Sequence, residues 1–319
     1  MVVRIPSRDR MRISRLSPIL VLVALPAFPQ PSWRAPGSKP PQAAMEAQAP
    51  SAEDVRARTK TLLAGQHRDD ETLEIYERIE RHIDRTGGAN PRTIADKTYR
   101  VVPTGVGTQE ILLHEEGKST DSSAYARQMR TLEDTLETMA NPDDPRAKAA
   151  YAKYQKRMRE RAQFVDAASE AYIPQWAGRE KRNERDCDVF ELNPNPKFQP
   201  RSMFQDALAH TTAKLWIDHA SQQIVHGEAR VMSDISFGAG ILGKLYRGSV
   251  VSMDQAEIAP GVWLPIRYQY DYAGRKFLFT FDQHQVIEVS HYRRIGPPKE
   301  ALQVVQNELS NGKSFTGDP

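Results

Sequence analysis

The sequence predicts an α+β fold in which helical stretches give way to a long run of antiparallel strands. Apolar residues recur at three- and four-residue spacing from Glu53 to Asp84 and again from Ser122 to Val165, which is helical periodicity. From Asp186 onward they alternate with polar residues in segments broken by short Gly, Pro, Asp or Asn signals, which is the spacing of an antiparallel meander. The chain of 319 residues is long enough for one large domain or two small ones.

At the N-terminus, Arg4, Arg8, Arg10, Arg12 and Arg15 stand against a single acid, Asp9, and an apolar run follows from Leu16 to Phe28. This is the pattern of a secretory signal peptide over residues 1–30. Pro18 and Pro26 interrupt the run, which is shorter than the roughly 20 apolar residues a membrane-spanning helix needs. An uncleaved anchor is the competing reading, because Leu22 and Leu25 stand where small residues beside Ala24 and Ala27 would favour cleavage. Export implies a periplasmic destination. Cys187 is the only cysteine, so no intramolecular disulfide can form, and no cysteine follows the apolar run to be lipidated. The mature product is therefore expected to be soluble rather than lipid-anchored. Cys187 itself, in Asp-Cys-Asp-Val-Phe, reads as a buried small hydrophobe.

Residues 31–50, rich in Pro, Ala, Gln and Ser, read as a disordered linker, and residues 311–319 as a disordered tail. The domain between them spans 51–310. Net charge is +3, but the leader accounts for four positive units of it, leaving the mature chain near neutral. No general attraction to nucleic acid is expected.

Within the domain, Val55, Leu62, Leu63, Leu73, Tyr76, Ile79 and Ile83 predict one or two amphipathic helices between Glu53 and Asp84, with Ser51 as cap. Thr98–Val102 and Glu110–His114 predict a β-hairpin. Tyr125, Met129, Leu132, Leu136 and Met139 predict a helix, Asn141–Pro145 a break, and Tyr151, Tyr154, Met158 and Val165 a second helix. Together they form a helical hairpin over 122–168. From Arg146 to Arg185 there are eleven Lys or Arg against five acids. A solvated helix face explains this excess, and contact with anionic membrane headgroups is the functional alternative.

In the β-rich part, strands are expected at Val189–Leu192, Ala213–Asp218, Gln223–Met232, Leu245–Ile258, Val262–Tyr272, Lys276–Asp282 and Val286–Arg293. Ile266, Tyr268, Tyr270 and Tyr272 share one face against Arg267, Gln269 and Asp271, and Phe277, Phe279 and Phe281 repeat the pattern across a tight Ala273-Gly274 turn. Such an aromatic face must cover helices, a ligand, or both. Glu300–Glu308 predicts a short terminal helix.

Several motifs fail on context. Gly238-Ala239-Gly240-Ile241-Leu242-Gly243 has the glycine spacing of a dinucleotide loop, but a strand rather than a helix is predicted after it, so no cofactor is expected. Gly117-Lys118-Ser119-Thr120 ends like a phosphate loop, yet Leu112 stands where its first glycine belongs. The eight histidines lack the spacing of zinc ligands, and no metal site is assigned. No Gly-x-Ser-x-Gly elbow is present, and Asp218, Glu228 and Asp254 are only nominal candidates for a hydrolase.

Lys214-Leu215-Trp216-Ile217-Asp218, a turn, Gln223-Ile224-Val225-His226-Gly227-Glu228, and the later Gly261-Val262-Trp263-Leu264-Pro265 before long aromatic strands resemble the outer-membrane lipoprotein-sorting (LolA/LolB/RseB-like) superfamily. The resemblance covers about residues 189–294. It implies an α+β fold in the form of a curved antiparallel β half-barrel closed by helices, here with an inserted helical hairpin, and an apolar concavity able to hold acyl chains. Under it, Trp216, Trp263, Tyr268, Tyr270, Phe277 and Phe279 become the wall of a hydrophobic ligand site, with core packing as the competing account of each. The expected partner is a lipid or an acylated protein. An envelope sensor or interaction module without a ligand cavity is the second reading, and a periplasmic hydrolase the third.

Overall fold

The computed structural model describes residues 50–87, 90–238 and 240–311, and the predicted signal peptide, most of the linker and the tail beyond Asn311 lie outside them. No helix among the described residues is long and apolar enough to cross a membrane.

Among the described residues, five helices and thirteen strands follow one another as α1 (Ala52–Leu73), β1 (Tyr76–Arg85), β2 (Thr93–Pro103), β3 (Thr108–Glu115), β4 (Lys118–Ser119), α2 (Ser122–Ala140), α3 (Pro145–Ala171), β5 (Tyr172–Arg182), β6 (Arg185–Pro194), α4 (Met203–Ala209), β7 (Thr211–Asp218), β8 (Ile224–Val231), β9 (Ile235–Phe237), β10 (Gly243–Leu245), β11 (Val250–Ala259), β12 (Val262–Lys276), β13 (Phe279–Arg294) and α5 (Pro298–Asn311). The strands form one sheet in the order β4-β3-β2-β1-β13-β12-β11-β8-β7-β6-β5, with β10 on β12 and β9 on β10. Every pairing is antiparallel. The sheet is open, ending at β4 and β5, and does not close into a barrel.

Three expectations about the strands need correcting. The helical spacing read across Tyr76, Ile79 and Ile83 belongs to a strand. β1 is sandwiched between β2 and β13, so sheet pairing overrides a four-residue period that two isoleucines happen to share. The Ala273-Gly274 turn does not exist. β12 runs straight to Lys276, the chain reverses at Phe277-Leu278, and Lys276–Asp282 and Val286–Arg293 belong to one continuous strand, β13. Gly274 serves a close approach instead: a Cβ there would stand 2.6 Å from the Lys244 carbonyl oxygen and 2.6 Å from Phe281 Cζ. Leu245–Ile258 divides into the end of β10 and β11, and β5 and α4 were not foreseen.

The helices gather three cores. α2 begins at Asp121, whose carboxylate accepts from the Ser123 and Ala124 amides. It buries Met129, Leu132 and Leu136 against Val102 and Ile111 of β2 and β3 and against Ala301 and Val305 of α5. α3, with Pro145 in its first turn and Asp144 as cap, is about 40 Å long at 1.5 Å per residue. Its far end places Phe164, Ala167, Ala168 and Ala171 on Ala229, Val231 and Val251 of β8 and β11. The two helices stand where the helical hairpin is expected, and Tyr151 Oη donates to the Met139 carbonyl between them at 3.3 Å, but each lays most of its apolar face elsewhere: α2 on α5 and β3, α3 on α4 and the middle of the sheet. α1 lays Val55 and Leu62 on Phe190, Leu192, Leu215 and Ile217 of β6 and β7.

Candidate functional site

Strand register decides which of the predicted wall residues can share a surface. Trp216 pairs with His226, His226 with Asp254, and Asp254 with Arg267, so these four side chains lie on one face. Arg267 is followed by Tyr268, which therefore points to the other. Met253, Tyr268, Ile287 and His82 form the adjacent cross-strand row on that second face.

On the first face, Trp216 and Trp263 pack with Cys187, Val189 and Val225, all from strands. Cations cover the indoles: Lys214 Nζ lies 4.8 Å and Arg182 Cζ 5.1 Å from the Trp216 ring centre, and Arg185 Cζ 4.9 Å from that of Trp263. Trp216 Nε1 donates to Glu180 Oε2 at 2.8 Å. Cys187 is fully buried, and burial pushes its thiol pKa up, as suits an inert core residue.

On the second face, Tyr268 packs with Met253, Ile287 and Val289, with Tyr270 and Tyr292 at the margin. Tyr270 also reaches the core beneath α3. The rings of Tyr268 and Tyr270 stack at 6.3 Å. Burial raises the phenol pKa of both Tyr268 and Tyr292, so neither ionises near neutrality. Beside them, alternate residues of β1 present Arg78, Glu80 and His82. Glu80 accepts from Arg78 Nε at 2.8 Å and lies 2.9 Å from His82 Nε2. Burial works against the Arg78 charge, but Glu80, Tyr292 and Tyr268 together outweigh it and raise the guanidinium pKa. Arg78 is 6 % exposed, and its buried Nη1 has no hydrogen-bond partner among the described residues. A guanidinium nitrogen left bare among tyrosines is a ready donor for an anionic oxygen.

Phe277 and Phe279 join neither face. They flank Leu278 at the tip of the β12–β13 hairpin and are 50 % and 76 % exposed. The six predicted residues thus divide among three places, because Ala273-Gly274 is strand and the chain turns only at Phe277. Arg78, Glu80 and His82 were not singled out from sequence. No clean signal marked them, because β1 buries Glu77, Arg78, Ile79 and Glu80 in succession.

The nominal hydrolase acids do not converge. Asp254 is held by His226 at 2.7 Å and Arg182 at 3.3 Å, Asp218 by Ser221 at 2.6 Å and Arg185 at 3.4 Å, and Glu228 by Arg230 at 3.2 Å. Nor does the basic stretch from Arg146 to Arg185 form a single surface. Arg161 is buried, Arg157 donates to the Val106 carbonyl, and Arg179, Arg182 and Arg185 turn to carboxylates and indoles on the strand side. Among the described residues, no group of three or more His, Cys, Asp or Glu could hold a metal ion.

No family model and no curated protein matches the chain. Solved structures similar to it include an outer membrane lipoprotein-sorting protein domain from Vibrio parahaemolyticus, 9 % identical, covering 80 % of this chain and 100 % of that one with a TM-score of 0.34. A DUF1329 family protein from Desulfovibrio piger is 13 % identical over 75 % of this chain and 92 % of its own, TM-score 0.31. A LolA superfamily protein from Nitrosomonas europaea is 11 % identical over 80 % and 98 %, TM-score 0.29, so the solved structures similar to this chain include members of the superfamily that its tryptophan-and-turn motifs resemble.

Proposed function

We propose that this is an exported periplasmic protein that holds a hydrophobic or lipid-linked ligand, with the acyl part against Tyr268, Tyr270 and Met253 and an anionic head on Arg78. The observation that carries the reading is the bare, buried Nη1 of Arg78 beside that apolar surface. The signal-peptide pattern supports the setting, since an envelope protein has lipid within reach. Each buried methylene of an acyl chain would add about 0.8 kcal/mol. Trp216 and Trp263 serve as packing under their cation cover.

Native mass spectrometry of the purified protein should show a retained lipid, and a fluorescent fatty acid should be displaced by unlabelled fatty acid far better than by the matching alcohol. Arg78→Gln should abolish that preference for the carboxylate. Absence of bound lipid together with absence of fatty-acid displacement would remove the basis of the reading.

A second reading, an interaction module whose aromatic face is filled by its own helices, draws on the packing of Tyr270 against the core under α3. Removal of residues 122–165 with loss of a protein partner but retention of fatty-acid binding would favour it.

A further inference from the structure

We propose that the paired tips of the β9–β10 and β12–β13 hairpins form a membrane-docking edge that inserts into an anionic lipid bilayer, independently of any ligand held on the tyrosine face. Nine large apolar side chains are exposed among the described residues, and five of them crowd this one edge. They are Ile241 at 74 %, Leu242 at 50 %, Phe277 at 50 %, Leu278 at 89 % and Phe279 at 76 % exposure. The two tips are bound together. Gly243 pairs with Lys276 and Leu245 with Gly274, and the Phe277 amide donates to the Leu242 carbonyl at 3.2 Å. The apolar residues therefore move as one unit.

The turn is built against its own conformational preference. Lys276 pairs with Phe279, leaving Phe277 and Leu278 as a two-residue loop, and Phe277 has φ +53°. A hairpin of this length with a positive φ at its first loop residue ordinarily takes Gly, Asn or Asp there. Bulky apolar residues at such a tip do not favour the turn, and Leu278 and Phe279 are largely exposed. Strain retained at an exposed site calls for a role outside folding.

Charge names the occupant. Behind the apolar tips stand Lys244, Arg247, Arg275 and Lys276, against Asp234 and Asp282. Lys244 is paired with Asp234 at 3.0 Å, and Arg275 Nη2 donates to the Gly240 carbonyl at 2.9 Å, which braces the turn that carries Ile241. Bulky apolar tips in front of a basic collar match the layering of an anionic bilayer, hydrocarbon beyond phosphate. A protein partner fits less well, since a stable interface draws roughly 20–30 residues from each side and these two turns offer a handful. The basic stretch of α3 and β5, the other candidate for membrane contact, spends much of its charge on internal partners.

The test places a reporter at the tip of the full-length chain. Cys187 is fully buried, so an environment-sensitive fluorophore on Leu278→Cys labels one site, and Ile94→Cys, 64 % exposed at the start of β2, provides a second exposed position. With vesicles of phosphatidylcholine mixed with phosphatidylglycerol, the label at 278 should shift to the blue and be quenched by brominated acyl chains, and the label at 94 should not. Added salt should weaken the response. Leu278→Asp, tested by vesicle co-sedimentation, should lower partitioning on the order of tenfold, with unchanged far-UV circular dichroism. No shift at 278, an equal shift at 278 and 94, or unchanged partitioning of Leu278→Asp overturns the proposal. An equal response to pure phosphatidylcholine vesicles overturns the role given to the basic collar.

Discussion

Asp188 is buried at 2 % exposure and shared by Arg58 at 3.2 Å, Arg179 at 3.1 Å and His219 at 2.8 Å. Burial alone would raise its pKa, but the bonds from His219 and Arg179 outweigh that and hold it below the ordinary 3.8. A carboxylate with a depressed folded pKa contributes stability that is complete above its unfolded pKa and is lost as pH falls through the folded one. Asp218 and Asp254 shift in the same direction. The thermal midpoint should therefore lose stability with increasing steepness below about pH 4, and Asp188→Asn should show a shallower acid slope than the parent. Gly274 gives a second residue-scale outcome: Gly274→Ala should cost about 1–3 kcal/mol in urea denaturation, because the new methyl meets the Lys244 carbonyl. At this scale the sequence was readable where one environment explains a residue, as with buried Cys187. It misled where one residue type serves two purposes, and Gly274 looks alike in a turn and beside the closely paired β10.

At the scale of elements, α5 is fastened by charge. Arg100, with no exposed surface, bonds Glu77 at 2.8 Å and Glu308 of α5 at 2.7 Å, and Arg293 bonds Glu308 at 2.6 Å and also pairs with Glu77. Glu77 is likewise fully buried. Arg100→Leu would leave Glu77 and Glu308 with Arg293 alone between them and should cost about 1–3 kcal/mol. Hydrogen exchange in α5 should rise more than in α3, since α5 loses one of the two arginines that hold it. The stripe of α2 was legible because its apolar residues follow a single period and bury a single face. β1 was not, because a strand flanked by β2 and β13 buries Glu77, Arg78 and Glu80 along with its isoleucines, and such a strand carries no clean two-residue alternation. The aromatic alternation of β12 was read correctly, and the place where that strand ends was not.

Over the whole molecule, the run from β5 to β8 and from β11 to β13 pairs mostly with sequence neighbours, and turn signals mark such hairpins. The seam between β1 and β13 carries no local signal. It joins partners such as Asp84 and Gln285, 201 residues apart at 2.7 Å. The split of the helices among three cores was equally illegible, since a helical period shows that a face is apolar and not which surface covers it. Because the sheet is continuous from β4 to β5, urea unfolding followed by tryptophan emission, with Trp176, Trp216 and Trp263 in β5, β7 and β12, should coincide with unfolding followed by circular dichroism. Separate midpoints would show that the β1–β4 side with α2 and α5 melts by itself.

The seam between β1 and β13 also sets an order of events. Ile75 offers its carbonyl to the amides of both Ile295 and Gly296, so the start and the finish of the sheet are stitched at a single point. A chain being made from its N-terminus has β1 to β4 ready early, yet one edge of β1 stays bare until β13 has been completed. Until then that edge invites pairing with any other strand in reach. The growing polypeptide is therefore obliged to stay unlatched, and to depend on protection from its surroundings, until β13 has been made.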